Sequence, residues 1–336
     1  MTNKNSLSKN NPFLLRPVGK DYLWGGNRLN DDFSKDIDLQ PLAETWECST
    51  HPDGLSTVAS GPFAGQTLRD VLRSHPEYLG THPQSADGEL PVLIKFIDAK
   101  RDLSVQVHPS DEYAMQNEDG QSGKNEMWYV LDASENAELI YGFNRPIDRE
   151  TLRKSLADGT VEHYLRRVQI HKDDVFYIQA GTVHAIGAGA LIAEIQESSN
   201  LTYRMYDYGR VDKNGKPRTL HIDRALDVAR LDGGENPRQP MRVLRYTPGC
   251  ASELLCRCKY FVVERMLINT KRIRRMACVS TGTNSFQVLL CVDGCGVAFP
   301  EGSDALPFFR GDCLFLPADS VPVRLHGYAQ LIKVSC

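Results

Sequence analysis

The sequence predicts a mainly β protein built as two strand-rich units, with a few short helices. Short apolar segments recur at 93–97, 104–108, 127–131, 175–179, 190–196 and 201–206, then at 260–267, 285–291, 313–316 and 329–334. Gly, Pro, Asn or Asp separates them, and many short strands punctuated by turn residues read as a barrel or a sandwich. Helical spacing of apolar residues is confined to 66–73, 149–158 and 222–232. A chain of 336 residues also exceeds one ordinary core and suits two domains. The run of Gly, Asn and Pro at 234–240 is placed as the linker, giving an N-terminal domain over 1–236 and a C-terminal one over 241–336. Segments 172–181 (KDDVFYIQAG) and 310–319 (RGDCLFLPAD) share a polar turn, an apolar strand and a small-residue turn, which points to a duplicated barrel.

A net charge of -4 and a pI of about 6.2 provide no basic patch for nucleic acid or an anionic membrane. No apolar run reaches the roughly 18 residues a membrane span needs, and residues 1–11 lack the apolar core of a signal peptide. A cytoplasmic location is expected. Of nine cysteines, eight fall between Cys250 and Cys336. The odd count argues against a disulfide framework, and the pairs Cys256/Cys258 and Cys291/Cys295 lack a second pair at zinc-finger spacing, so they read as small buried apolar residues.

Residues 104–109 read SVQVHP. On a strand, Val105 and Val107 face one side while Gln106 and His108 face the other. An amide and an imidazole placed together inside a β-unit cost a few kcal/mol unless something pairs with them, and a metal ion would. Glu126 opens the apolar strand in GKNEMWYV, and His184 follows the Gly turn of QAGTVHAI. One amide oxygen, two imidazoles and one carboxylate suit zinc, without thiolate, and leave positive charge to polarise a hydroxyl or carbonyl. Each residue alone has a structural explanation: a turn cap for His108, a pair with Lys124 for Glu126, a satisfied core histidine for His184. The other histidines, His51, His75, His82, His163, His171, His221 and His326, read as surface or structural.

Glu194 interrupts the apolar strand ALIAEIQ and is a candidate general base, since burial raises a carboxyl pKa; a buried Glu–Arg pair is the alternative. Arg204, Tyr206 and Tyr208 alternate onto one strand face, where the arginine suits a phosphate or an oxyanion, or else pairs with Asp207 or Asp212. Lys95 interrupts PVLIKFIDA and must reach a cavity or snorkel to solvent. No P-loop and no GxGxxG is present, so no nucleotide cofactor is expected.

These stretches, with DYLWGG at 21–26 and AETWECSTHPDG at 43–54, resemble the type I mannose-6-phosphate isomerases in their short bacterial form, from about residue 12 to about residue 227. The resemblance implies two cupin-type (jelly-roll) β-barrels and one zinc ion per chain, held by Gln106, His108, Glu126 and His184. It implies a small sugar phosphate as partner and interconversion of mannose 6-phosphate and fructose 6-phosphate through a cis-enediol. Glu194, Arg204 and Lys124 fall on its catalytic positions, and Lys95 and Arg204 on its substrate-binding ones. The C-terminal unit carries no such ligand set and reads as a barrel without metal. A non-catalytic sugar-phosphate sensor on the same scaffold is the rival reading, and an iron-dependent dioxygenase a second, disfavoured by the glutamine ligand.

Overall fold

A computed structural model describes residues 10–82, 88–212, 214–233, 237, 242–273 and 275–336. The mainly β expectation holds: among the described residues there are 21 strands against five α-helices, most of them two turns or less. The proposed linker at 234–240 lies, apart from Pro237, outside the described residues.

Three sheets make up the molecule. The first orders its strands Val175–Ile178, Glu126–Ala133, Ala190–Glu197, Val92–Asp98, Glu44–Cys48 and Val18–Lys20. The second orders Tyr203–Tyr206, Val105–Val107, His184–Ile186, Glu138–Phe143 and Leu165–Gln169. Ten further strands form the third.

Side-chain alternation explains how these sheets stack. In Val92–Asp98, Val92, Ile94 and Phe96 join a core shared with Val288, Leu290, Phe315, Ile332 and Val334 of the third sheet. Ile97, on the opposite face, joins Trp128, Ile178, Leu139 and Ile186 between the first and second sheets. Both faces of the first sheet are therefore buried, which is why its strands read as continuous apolar runs. The outer face of the second sheet is covered by helices Arg149–Asp158 and Ile222–Val228 through Leu152, Ala225 and Leu226.

The third sheet is not purely C-terminal. Phe13–Arg16 pairs with Cys313–Leu316, and Thr57–Val58 pairs with Phe13–Arg16. The first described strand thus lies in the sheet that the last described strand completes. The two similar segments of the sequence both form four-residue strands, Val175–Ile178 and Cys313–Leu316. Helix Arg149–Asp158 matches its predicted span, capped by Asp148 and ended by Gly159 in the left-handed conformation. Ile222–Val228 stops four residues short of its prediction. Helix Asp111–Asn117 was not expected, although Ser110 caps it by accepting from the Tyr113 amide. All nine cysteines are free, five of them buried.

Candidate metal centre and its cavity

The three strands that carry the predicted metal ligands meet at one end of the space between the facing sheets. His184 lies opposite Gln106 in the second sheet, and Arg204 lies opposite Gln106 on its other side. Val105 and Val107 point away into the core beneath the helices, so Gln106 faces the cavity as the alternation requires. Glu126 heads its strand in the first sheet, opposite Gln196.

His108, Glu126 and His184 are almost wholly buried, and their donor atoms lie within 4.8 Å of one another. The Nδ1 of His108 is 2.8 Å from the Leu201 carbonyl, and the Nδ1 of His184 is 2.8 Å from the Thr182 carbonyl. A carbonyl can only accept, so each Nδ1 carries the proton and each Nε2 presents a bare lone pair. Those lone pairs point at an acceptor: His108 Nε2 is 3.5 Å from Glu126 Oε2, and His184 Nε2 is 3.3 Å from Oε1. His108 Nε2 and Glu126 Oε1 have no hydrogen-bond partner among the described residues, and Glu126 Oε2 has only the Lys124 ammonium, 3.1 Å away. The Gln106 amide stands 3.4 Å from His184 Nε2 and offers its oxygen to the same point once turned over. A single proton on Glu126 satisfies one imidazole at most, whereas one cation satisfies all of these lone pairs. The donor set fits a divalent borderline metal such as zinc.

Without that cation the groups behave as buried polar atoms do. Burial pushes His108 well below its usual pKa and His184 down to about 4. Burial pushes Glu126 up to about 7, against the pull of Lys124, whose Nζ is 3.1 Å from its carboxylate.

The centre opens on a cavity of about 260 Å³ lined by Lys95, Gln106, Lys124, Glu194 and Arg204, all predicted site residues, and by others the sequence did not flag. Lys95 lies opposite Glu194 across two strands, with its Nζ 3.2 Å from Glu194 and 3.6 Å from Glu44. Burial works against this ammonium, but Glu44, Glu194 and Glu126 outweigh it and hold Lys95 above the usual lysine range. The Trp128 indole N–H donates to Glu194 over 2.9 Å. Glu194 therefore lacks the raised pKa expected from sequence. Burial does push its pKa up, yet Lys95, Lys124 and the Trp128 hydrogen bond prevail, and Glu194 sits below the ordinary carboxylate value. Its ion-pair partner is also a lysine rather than the arginine considered.

Arg204 has no carboxylate partner among the described residues. Its Nε donates to Ser104 Oγ over 3.2 Å and its Nη1 to the Thr219 carbonyl over 3.0 Å. Asp207 is taken by Arg210 and Arg218 instead. The expected alternation with Tyr206 and Tyr208 fails, because a bulge falls between Arg204 and Tyr206. The extra residue turns Tyr206 into the helix-covered core and leaves the guanidinium at the cavity, while Tyr208 lies past the strand's end in a turn and packs against the same core.

Glu44, Tyr22, Trp128, Arg218 and His221 line the cavity unannounced. Glu44 Oε2 accepts from the Trp46 indole over 2.8 Å. A Glu–x–Trp pair in an apolar run was the available signal for Glu44. Nothing local marks Arg218 or His221, which arrive from a loop; His221, read above as surface or structural, accepts the Arg204 amide at Nδ1 over 3.2 Å.

A β-protein with facing sheets, a convergent metal-ligand set and charged cavity walls defines a metal-dependent enzyme acting on a small polar molecule. Comparison makes this specific. The family model for the catalytic domain of type I phosphomannose isomerase matches residues 13–140. Mannose-6-phosphate isomerase ManA of Bacillus subtilis is 36% identical over 324 residues, spanning 96% of this chain and 98% of that one. The crystal structure of a Bacillus subtilis mannose 6-phosphate isomerase superposes with a TM-score of 0.88 at 35% identity, over 96% of this chain and 99% of that one. A mannose 6-phosphate isomerase solved with zinc bound shares the fold at a TM-score of 0.73 and 17% identity, over 96% and 98% of the two chains. The chain belongs to the type I mannose-6-phosphate isomerase family, a family of aldose–ketose isomerases.

Proposed function

We propose that the chain interconverts mannose 6-phosphate and fructose 6-phosphate, with one zinc ion held by Gln106, His108, Glu126 and His184. The carrying observation is the convergence of unprotonated His108 Nε2, His184 Nε2 and both Glu126 oxygens on one buried point beside the cavity. Family membership supplies the substrate pair.

The reaction moves the C2 proton of the open-chain aldose to C1 and the O2 proton to O1, through a cis-enediol. Glu194 is ionised, fixed by Trp128 and Lys95, and faces the cavity, so it is assigned as the shuttle that takes the proton from C2 and returns it to C1. Lys124, at the cavity wall, donates toward the ring or carbonyl oxygen as the chain opens. Arg204 contributes a half-buried guanidinium, unneutralised by a carboxylate, where negative charge develops. Lys95 and Glu44 present a donor and an acceptor to the sugar hydroxyls. Zinc, when bound, supplies fixed positive charge that stabilises the enediolate oxygens.

The facing sheets are read as one cupin-type barrel and the third sheet as a second, with the catalytic unit over 1–236 and a metal-free unit over 241–336. A cytoplasmic setting follows from the phosphorylated substrate; no helix among the described residues is long and apolar enough to cross a membrane. A coupled assay of mannose 6-phosphate conversion, run on the purified enzyme, after chelation and after zinc is returned, tests the proposal. Activity lost and regained is expected, and a zinc-loaded folded protein without turnover would refute it.

A further inference from the structure

The segment that carries Lys124 and Glu126 is tied down at several points. Gly123 lies flush on the chain that follows His108: a Cβ there would stand 2.4 Å from the Asp111 nitrogen and 2.8 Å from the Pro109 oxygen. The Lys124 amide donates to the Pro109 carbonyl over 3.0 Å, and the Gly181 amide donates to the His108 carbonyl over 2.9 Å. Asn125, between the two functional residues, donates twice to Glu197 Oε1 over 2.7 Å and accepts from the Ala180 amide over 2.9 Å. The three chain stretches leading to the metal ligands are thus fastened to one another by short hydrogen bonds.

One of these fasteners does not end within the N-terminal unit. Asp111 accepts the Gly123 amide at Oδ1 over 3.0 Å, and at Oδ2 it accepts the Tyr260 hydroxyl over 2.8 Å. Tyr260 sits in the turn between strands Cys250–Arg257 and Val262–Asn269 of the third sheet. The turn is itself fixed: Cys258 donates to the Phe261 carbonyl over 3.0 Å, and the Phe261 ring is buried in the core shared by the first and third sheets. Lys259 Nζ adds a charge 3.7 Å from Asp111 Oδ2.

We infer that the metal-free C-terminal unit positions the metal centre, with Tyr260 holding Asp111 and Asp111 holding the Gly123–Glu126 segment. Tyr260 and Asp111 are positioning residues here; neither lines the cavity. The inference rests on the zinc reading above. It accounts for a second β-unit that brings no ligand of its own: the unit lends rigidity to a strand start that must present Lys124 and Glu126 together. Without the hydroxyl, Asp111 keeps the Gly123 amide, its contact with the Glu197 carboxyl and the more distant Lys259.

Tyr260→Phe keeps the ring and removes only the hydroxyl. Zinc release into excess chelator should quicken about tenfold, the order of effect expected from losing one hydrogen bond to a charged group. Backbone exchange at 123–126 should rise in parallel. The control is Gln330→Ala, which removes another contact between the same two units, Gln330 Nε2 to Tyr129 Oη at 2.6 Å, away from the tied segment. It should leave zinc release and exchange at 123–126 unchanged. Unaltered release and exchange in Tyr260→Phe, or equal changes in both variants, would overturn the inference. A wild-type protein that holds no zinc would refute the reading of the metal centre instead, and the exchange comparison would then decide the positioning role by itself.

Discussion

Lys95→Met isolates the electrostatics of the cavity floor. The Lys95 ammonium lies 3.2 Å from Glu194 and 3.6 Å from Glu44, and its side chain is 5% exposed. At an effective dielectric near 20 each contact is about 5 kcal/mol of gross attraction. Desolvation of all three charges offsets much of that, and removing one partner of a buried pair typically costs about 3–5 kcal/mol. The variant should therefore lose about 3–5 kcal/mol of unfolding free energy near neutral pH, since Glu44 and Glu194 are left as neighbouring carboxylates without their cation. The sign of its pH dependence follows. Stranded carboxylates have folded-state pKa values above the unfolded ones, so the folded variant binds protons more tightly than the unfolded chain does. Its deficit relative to wild type should shrink as pH falls through the folded values and vanish below about pH 4, the unfolded range for glutamate. Urea unfolding of both proteins at about pH 7.5 and about pH 5 measures this; the comparison at each pH removes the effect of acid on the histidines, which both proteins share. A loss under about 1 kcal/mol at neutral pH, or a deficit that grows on acidification, would refute the reasoning.

Glu194→Gln should cost about 10²–10⁴ in kcat while zinc content stays at the wild-type level, and near-full turnover would remove Glu194 from proton transfer. Arg204→Lys keeps the charge but loses the planar fork that reaches Ser104 and Thr219 together, so kcat/KM should fall about 10²-fold. Steady-state kinetics of a lysine variant matching wild type would contradict that geometry. In chelated protein, His184 has a folded pKa of about 4 against an ordinary 6.5. The folded state binds this proton less tightly, so the contribution is present above pH 6.5 and is lost as pH falls toward 4. That amounts to about 3 kcal/mol. Chelated His184→Gln should show a correspondingly shallower acid limb in its unfolding profile.

The legible parts of the site share a common form. Gln106 lies on the short strand Val105–Val107 and His108 directly follows it, and the two-residue spacing on extended chain turns both one way. Lys95 and Glu194 each interrupt an apolar run, and a charge in such a run must find a partner or a cavity. They find each other, because their strands are neighbours in the same register. The pairing itself was not legible, since strand order is a long-range property. For the same reason the direction of the Glu194 shift was missed: burial is visible from sequence, but the lysines that reverse its effect come from other strands.

Irregularities were the other blind spot. The bulge after Arg204 inverts the face of Tyr206 and the strand ends before Tyr208, and period-two reasoning sees neither a residue that falls out of register nor a strand that stops early. Helix Asp111–Asn117 carries little apolar periodicity, so its cues were the Ser110 cap and the acidic first turn of Asp111 and Glu112. Phe13–Arg16 was not among the expected strands, and although it lies within the predicted N-terminal domain it pairs in the third sheet, a choice made by whichever edge offers both hydrogen bonds and apolar cover.

The sequence by itself determined the mainly β class, the chemistry of the donor set and the faces of the Gln106 and Lys95 strands. Alternation and composition are local, and they act before the chain is folded. Only the tertiary structure decided the rest: which protons are absent where His108, Glu126 and His184 meet, which charges hold Glu194 ionised, and that a tyrosine of the last unit reaches the segment bearing Glu126. Those depend on distances between strands far apart in the chain, and packing alone sets such distances.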